Sequence, residues 1–453
     1  MKKHIITTLI LVTVLFSGCK KLVELDPINS QPGSEALKSG TNVKGVLASA
    51  YNRLLNNQFL GGEVLRTNEL YGDNVNFVNA TGGAPAQFVT RDFSLFNQQG
   101  RDLWSAGYSA IGYSNIVIDA VDRNLFNDLT SVEKAQLKAE ALFIRGVAHF
   151  ELVRLFAKPF TSNPTADLGI PISIKALTTE EAKAFAARNT VAEVYTQAIA
   201  DLKAAETVLL NRNSVFATKW AAKAYLARVY FSMADYTNAF TYSNDVIANG
   251  GYVLGTSVTA PFRTPGGILA SALPSGVIFT AIGDGSLLRG NFWNTDPNAA
   301  FLPLTATFYT EIQNKGGNRF TQLTQTATRP ISTKWSGDNA VNVPVLRLAE
   351  MYLVRAESRV LRGAAFTDAE VRADYNAVRA VASVASDNST TGASALLTAI
   401  RTERRIEFAM EGDQYNELRR LKLAVRGVAF NDGKQLLKIP DSETNANPSI
   451  VQN

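Results

Sequence analysis

The stretch LARVYFSMADYTNAFTYSNDVI, residues 226–247, carries two helical patterns separated by one tight turn. Leu226, Ala227 and Tyr230 share one face of a first helix at helical spacing. Ala234, Asp235 and Tyr236 form the break, and Ala239 belongs to the second pattern. Small residues at 227 and 239 let two helices approach closely, and the aromatic rings fill the groove between neighbours. A unit of this size cannot bury its apolar face alone, so it needs neighbours of the same kind.

This spacing is similar to the tetratricopeptide pattern. A second segment, LRLAEMYLVRAESRVLRGAAFTDAEVRADYNAVRAVA (346–382), has the same two-helix plan, and 104–157 has it more loosely. Any one match fits a generic amphipathic hairpin; several in one chain predict a repeat scaffold. Helical periodicity also marks 41–57, 131–157 with Ser131 as N-cap, 190–210, 216–234, 236–249, 345–362, 368–384, 393–412 and 414–424. Residues 60–103 read as a long structured loop, a kind that is more often functional than decorative. Residues 251–343 read as short strands and loops with one short helix near 305–313. The C-terminal tail reads as irregular. The fold class expected is mainly α: a helical repeat scaffold carrying an irregular loop and short-strand part.

The N-terminus begins with Lys2 and Lys3, then an apolar run from Ile5 to Phe16, then Ser17, Gly18 and Cys19. That is a secretory signal, too short to span a membrane. Its end resembles a bacterial lipobox, with Phe16 where leucine is commoner, which implies cleavage before Cys19 and lipidation of its sulfur. Cys19 is the only cysteine in 453 residues, so the mature chain has no disulfide and no cysteine metal site. Of the two histidines, His4 lies in the leader and His149 in the apolar ALFIRGVAHFELVRLF, where it reads as a packed residue. The chain is 46% apolar, enough for a large core, and its 45 basic and 40 acidic side chains are interspersed. No basic patch marks a nucleic-acid partner.

The chain as a whole resembles the SusD/RagB family of outer-membrane lipoproteins. The resemblance rests on LVELDP (22–27), LWSAGYSAIGYSNIVID (103–119), KAEALFIRGVAHFELVRLFAKPF (138–160), VPVLRLAEMYLVRAES (343–358), IRTERRIEFAMEGDQYNELRRLK (400–422) and LLKIPDSETNANPSIVQN (436–453). No single motif is decisive; their order and spacing are specific. Gln414 stands where the family often has Arg, Glu417 where Asp is usual, and Lys20 and Lys21 where exported members often carry acidic residues. The resemblance implies a right-handed bundle of four tetratricopeptide-like units (SusD-like) with a less regular ligand-binding part laid on it. It divides the chain into a signal peptide (1–18), a lipid anchor and tether (19–40), an N-terminal helical region (41–250) and a C-terminal region (251–453) with an insert at 255–340. It further implies capture of an oligosaccharide and delivery to a TonB-dependent, SusC-like transporter in the outer membrane. Capture of peptides by the same scaffold, and a purely protein–protein scaffold lipoprotein, are the alternatives.

Sugar sites pair aromatic faces with Asn, Asp and Arg side chains, because ring C–H groups stack on π surfaces and hydroxyls need polar partners. Two irregular stretches supply both. The first offers Asp73, Asn74, Asn76, Phe77 and Arg91; the second offers Arg289, Asn291, Phe292, Trp293 and Asn294, with Trp335 near in sequence. Phe292 and Trp293 also fit loop anchors, and Asp73-Asn74 also fits a turn cap. Trp104 and Trp220 read as core. Glu403, Glu407 and Glu411 fall four apart on one helical face, a spacing that could bring carboxylates together as in glycosidases. Arg401, Arg404 and Arg405 among them make a salt-bridged, solvated or interhelical face the simpler reading. With no phosphate loop, zinc-ligand set or nucleophile elbow, neither an enzyme nor a cofactor is expected.

Overall fold

The structure is a computed structural model that describes residues 35, 37–77, 83–177, 186–262, 273–281, 286–293, 301–325, 329–336 and 342–453. Residues 1–34, with the expected signal peptide, Cys19, Lys20 and Lys21, and Asn294 lie outside the described residues.

The N-terminal region is built of α1 (Gly40–Leu55), α2 (Glu63–Tyr71), α3 (Gly83–Thr90), α4 (Gln98–Asp122), α5 (Ser131–Phe156), α6 (Val191–Val208), α7 (Lys219–Ser232) and α8 (Tyr236–Asn249). Five of these, α4 to α8, start where a side chain accepts from a free backbone amide of the first turn. Thr130 and Glu133 form a reciprocal capping box on α5, as do Thr190 and Glu193 on α6. The α5 cap is therefore Thr130, not Ser131; the periodicity could not separate two adjacent hydroxyl residues. Asn97 accepts from the Gly100 amide and opens α4 six residues before its first aromatic, Trp104. The polar Gln98, Arg101 and Asp102 hide that first turn from a hydrophobicity reading.

The long helices stack in chain order: α1 on α4, α4 on α5, α5 on α6, α6 on α7 and α7 on α8. Their approach depends on missing side-chain atoms. A Cβ at Gly107 would meet Leu152 at 2.8 Å, and one at Gly146 would lie 3.0 Å from the Ala198 carbonyl. In the same layer Arg145 reaches from α5 to both carboxylate oxygens of Asp201 on α6, at 2.8 and 2.7 Å, and to Asn115 on α4 at 2.9 Å. His149 sits one turn on, fully buried, with Nδ1 3.0 Å from the Arg145 carbonyl and Nε2 accepting from the Ser173 amide. Burial lowers its pKa to about 3, so it stays neutral and structural, as its apolar surroundings foretold. Trp104 is buried against Phe156 and Tyr108, and Trp220 packs half-buried at the edge of the core.

The C-terminal region runs β1 (Val277–Ala281), α9 (Ser286–Phe292), α10 (Ala306–Lys315), α11 (Asn318–Leu323), β2 (Thr324–Gln325), β3 (Ile331–Ser332), β4 (Val343–Arg347), α12 (Leu348–Leu361), α13 (Asp368–Val381), α14 (Ala393–Glu407), α15 (Gln414–Arg420) and α16 (Asp441–Ala446). β1 pairs antiparallel with β4, Val277 opposite Arg347 and Ala281 opposite Val343; β2 pairs with β3. α12 packs on α8, α13 on α12, and α14 on both α12 and α13, so the stack of helices continues without a break. The mainly α scaffold with a short-strand part is thus as the periodicity required. No described helix is long and apolar enough to cross a membrane.

Besides the α5 cap, four expectations fail: 251–343 holds, among its described residues, three short helices, α9 to α11, rather than one, and the tail is not wholly irregular, because it carries α16. Residues 60–103 are not one loop, because they contain α2 and α3. α2 hides from periodicity: eight of its nine residues are buried, polar ones included, so it has no solvent face to set the 3.6 period. The helix expected over 393–412 stops at Glu407. Met410 and Gly412 take positive φ values of 61° and 76°, and a Cβ at Gly412 would lie 3.0 Å from the Leu65 Cα. Glu411 is therefore off the helix and cannot share its face with Glu403 and Glu407.

Candidate ligand-binding surface

α2 delivers the chain into the segment Gly72–Phe77, and the scaffold holds that segment from behind. Arg426 donates to the Gly72 carbonyl at 2.6 Å and to the Val75 carbonyl at 2.5 Å. The Thr305 amide donates to the Asn74 carbonyl at 2.9 Å, and the Asn76 amide to the Pro303 carbonyl at 2.8 Å. Val75 and Leu304 form a single antiparallel bridge. Arg405, on α14, donates to Asn74 Oδ1 at 3.0 Å and to Glu311 at 3.1 Å, and lies 3.6 Å from Asp73 Oδ1. These bonds hold the irregular backbone of the segment at several points, as a binding surface needs.

The segment carries an aromatic ledge. Phe77 is half-buried and meets Phe301 edge to face, with ring centroids 4.9 Å apart. Phe301 is 37% exposed, and Asn76 beside Phe77 is exposed. The Phe301 and Leu302 amides both donate to the Asn291 carbonyl, which brings the end of α9 to the same place. There Trp293 is half-buried, and the Arg289 guanidinium lies 5.2 Å from its ring. Asp73, Asn76 and Phe77 thus form a ledge with Phe301 and Arg405, and the Asn291 carbonyl ties α9, which carries Arg289 and leads into Trp293, to the Phe301 end of it.

The other sequence candidates do different work. Phe292 is fully buried and anchors α9 to the core. Trp335 is fully buried too; its Nε1 donates to the Met410 carbonyl at 3.0 Å, and its ring meets Phe262 edge to face. Arg91 is buried against Tyr71, donating to the Tyr71 carbonyl and to Gln435, and burial lowers its pKa. Asn74 is buried and orders the segment through Arg405, while Asn291 turns its amide back onto the Leu287 carbonyl and accepts from Arg66. Burial overrides what residue type alone suggested for four of these, and internal hydrogen bonds do so for the half-buried Asn291. Asn294 lies outside the described residues. Sequence reasoning missed Phe301 and Arg405. Phe301 lies in the aromatic-rich insert and could have been found there; Arg405 was hidden in a charged run.

That charged run is a structural lattice. Arg319 bonds Glu403 and Glu407, each at 2.6 Å; Arg347 bonds Glu407 and Glu411; Lys334 bonds Glu411 at 2.7 Å. The salt-bridged reading holds, but the partners come from α11, β4 and the β3–β4 segment rather than from the neighbouring arginines. Arg404 instead pairs with Asp413, and Arg401 with Glu357. Despite burial, these cations hold the Glu407 carboxyl well below its ordinary range, at about 2.

A family model described as "Starch-binding associating with outer membrane" matches residues 26–231, and the SusD family model matches 227–435. A SusD-like protein of Bacteroides ovatus is 24% identical over 384 residues, covering 73% of this chain and 67% of that protein. SusD-like protein P2 of Formosa agariphila is 27% identical over 254 residues, covering 55% of this chain and about half, 47%, of that protein. Among solved structures, a SusD superfamily protein of Bacteroides thetaiotaomicron superposes with a TM-score of 0.80 at 23% identity, covering 92% of this chain and 99% of that one. A laminarin-binding SusD-like protein superposes with a TM-score of 0.73 at 19% identity, covering 92% and 99%. At these identities the structural likeness concerns the fold.

Proposed function

The chain belongs to the SusD/RagB family of outer-membrane-associated proteins, and we propose that it is a cell-surface lipoprotein that captures an oligosaccharide and delivers it to a TonB-dependent, SusC-like transporter. The observation that carries the reading is the ledge of Phe77, Phe301 and Trp293, bordered by Asp73, Asn76, Arg289 and Arg405. Its rings offer stacking faces for sugar C–H groups, and its amide, carboxylate and guanidinium edges offer partners for hydroxyls. The laminarin-binding neighbour and the starch-binding description of the family support the sugar class. Supporting the anchor, Cys19 is the only cysteine and ends a lipobox-like leader.

The test is isothermal titration of the soluble form, starting at Lys20, against starch, laminarin, other polysaccharides and a casein digest, repeated with Trp293→Ala and Phe77→Ala. Heat with one glycan class, lost in both variants, is the expected result. Heat with the digest alone would overturn the sugar reading in favour of peptide capture. A pull-down with the lipidated chain should recover an outer-membrane transporter; recovery of none would remove the delivery step.

A further inference from the structure

Beside the ledge, α14 and α15 enclose a groove of about 290 Å³. Arg405 and Glu311 line it, and the same Arg405 reaches Asp73 and Asn74 on the ledge side, so Arg405 is common to the two. Leu418, Leu421 and Leu423 give the groove an apolar wall, and Leu423 is half exposed. Thr402 and Gln414 supply a hydroxyl and an amide, and neither side chain is hydrogen-bonded within the described residues.

The charges of the groove are already paired. Arg404 lies 2.6 Å from Asp413 and 3.5 Å from Glu417, Arg405 lies 3.1 Å from Glu311, and Arg401 lies 2.9 Å from Glu357. Among the described residues, every groove arginine has a carboxylate partner. What remains free among the described residues is an apolar wall, an amide, a hydroxyl and the Nη1 of the charge-paired Arg404, donors and acceptors that suit the hydroxyls of an uncharged polyol ring.

We infer that this groove is a second sugar subsite, and that the surface takes a neutral oligosaccharide lying across Arg405 from the ledge into the groove. The inference rests on the sugar-capture reading above and adds a subsite, a neutral substrate class and a dependence on chain length. A ligand filling both parts makes contacts that a one- or two-unit sugar on the ledge cannot make.

The experiment titrates the soluble form with α-1,4- and β-1,3-linked glucose oligomers of two to seven units, the fragments of starch and laminarin. Thr402→Ala, Gln414→Ala and Trp293→Ala are compared with the parent, and melting curves confirm that each variant is folded. Affinity should rise with length in one series. Gln414→Ala and Thr402→Ala should each weaken the longest oligomers roughly five- to tenfold, the worth of one hydrogen bond, and leave the shortest unchanged. Trp293→Ala should weaken every length. Affinity independent of length, or groove variants that bind long oligomers like the parent while Trp293→Ala does not, would overturn the second subsite and leave the ledge standing. No binding of any oligomer by the parent would overturn this inference together with the glucan form of the reading it rests on.

Discussion

Glu69→Gln probes the buried frame behind the ledge. Glu69 lies on α2, 1% exposed; its Oε1 accepts the Gly412 amide at 2.8 Å, and its Oε2 has no hydrogen-bond partner. Burial lifts its pKa from 4.5 to about 7, with Asp413 and Glu411 adding to the rise, while the Gly412 amide and Lys334 oppose it. A folded pKa above the unfolded one means that the folded chain holds the proton more tightly. The stability that comes with it is fully present below about pH 4.5 and is lost as pH rises through 7. A gap of about 2.5 pH units, at 1.36 kcal/mol each, makes the loss about 3 kcal/mol. Glutamine has the shape of the protonated acid and never ionises, so the variant escapes that loss. Urea unfolding of the soluble parent and variant, followed by tryptophan fluorescence at pH 5 and pH 8.5, measures it. The variant's advantage should be under about 1 kcal/mol at pH 5 and about 3 kcal/mol at pH 8.5. An advantage of equal size at both pH values would refute the reasoning, because it would show that Glu69 does not change protonation between them.

Asp201→Asn leaves the buried Arg145 guanidinium without its carboxylate and should destabilise the chain by about 3–5 kcal/mol, read from the urea midpoint; a loss well under 1 kcal/mol would mean that desolvation already cancels the pair. Gly107→Ala should lower stability by about 1–3 kcal/mol, because its new Cβ would meet Leu152 at 2.8 Å; thermal melting checks it. Phe292→Ala and Phe77→Ala separate core from ledge. Removing the fully buried Phe292 should lower stability by about 3–5 kcal/mol, whereas Phe77→Ala should weaken glycan binding with a much smaller change in melting temperature. Thr130→Ala should lower stability by about 1 kcal/mol through loss of the α5 cap, seen as faster amide exchange in the first turn of that helix.

Much of the fold was legible because its elements are long and amphipathic. A hydrophobic stripe at helical spacing appears whenever one face is buried and the other wet, as in α4, α6, α8, α13 and α14; α7 has no exposed residue and was marked instead by its small residues and aromatics. The small residues of 226–247 announced close helix packing before any coordinates. α2 gave no such signal, since a helix buried on every side has no polar face to mark the period. The early stop of α14 was equally hidden. It follows from Gly412 pressing against Leu65 and its amide bonding Glu69, contacts more than three hundred residues apart in sequence.

The candidate surface divides in the same way. Composition, one cysteine beside a lipobox-like leader, helical repeats and two irregular aromatic- and amide-rich stretches are properties of residue types in order, and the sequence by itself determined them. Which members of those stretches face solvent is a property of packing. Phe77 and Phe292 are the same residue type in similar surroundings, yet one forms the ledge and the other is fully buried. The difference lies in long-range bonds: Arg426 and Arg405 draw the 72–77 segment over the scaffold, and the Asn291 carbonyl gathers Phe301 to it. Only the tertiary structure decides that, because burial is set by what folds back over a residue rather than by the residue itself.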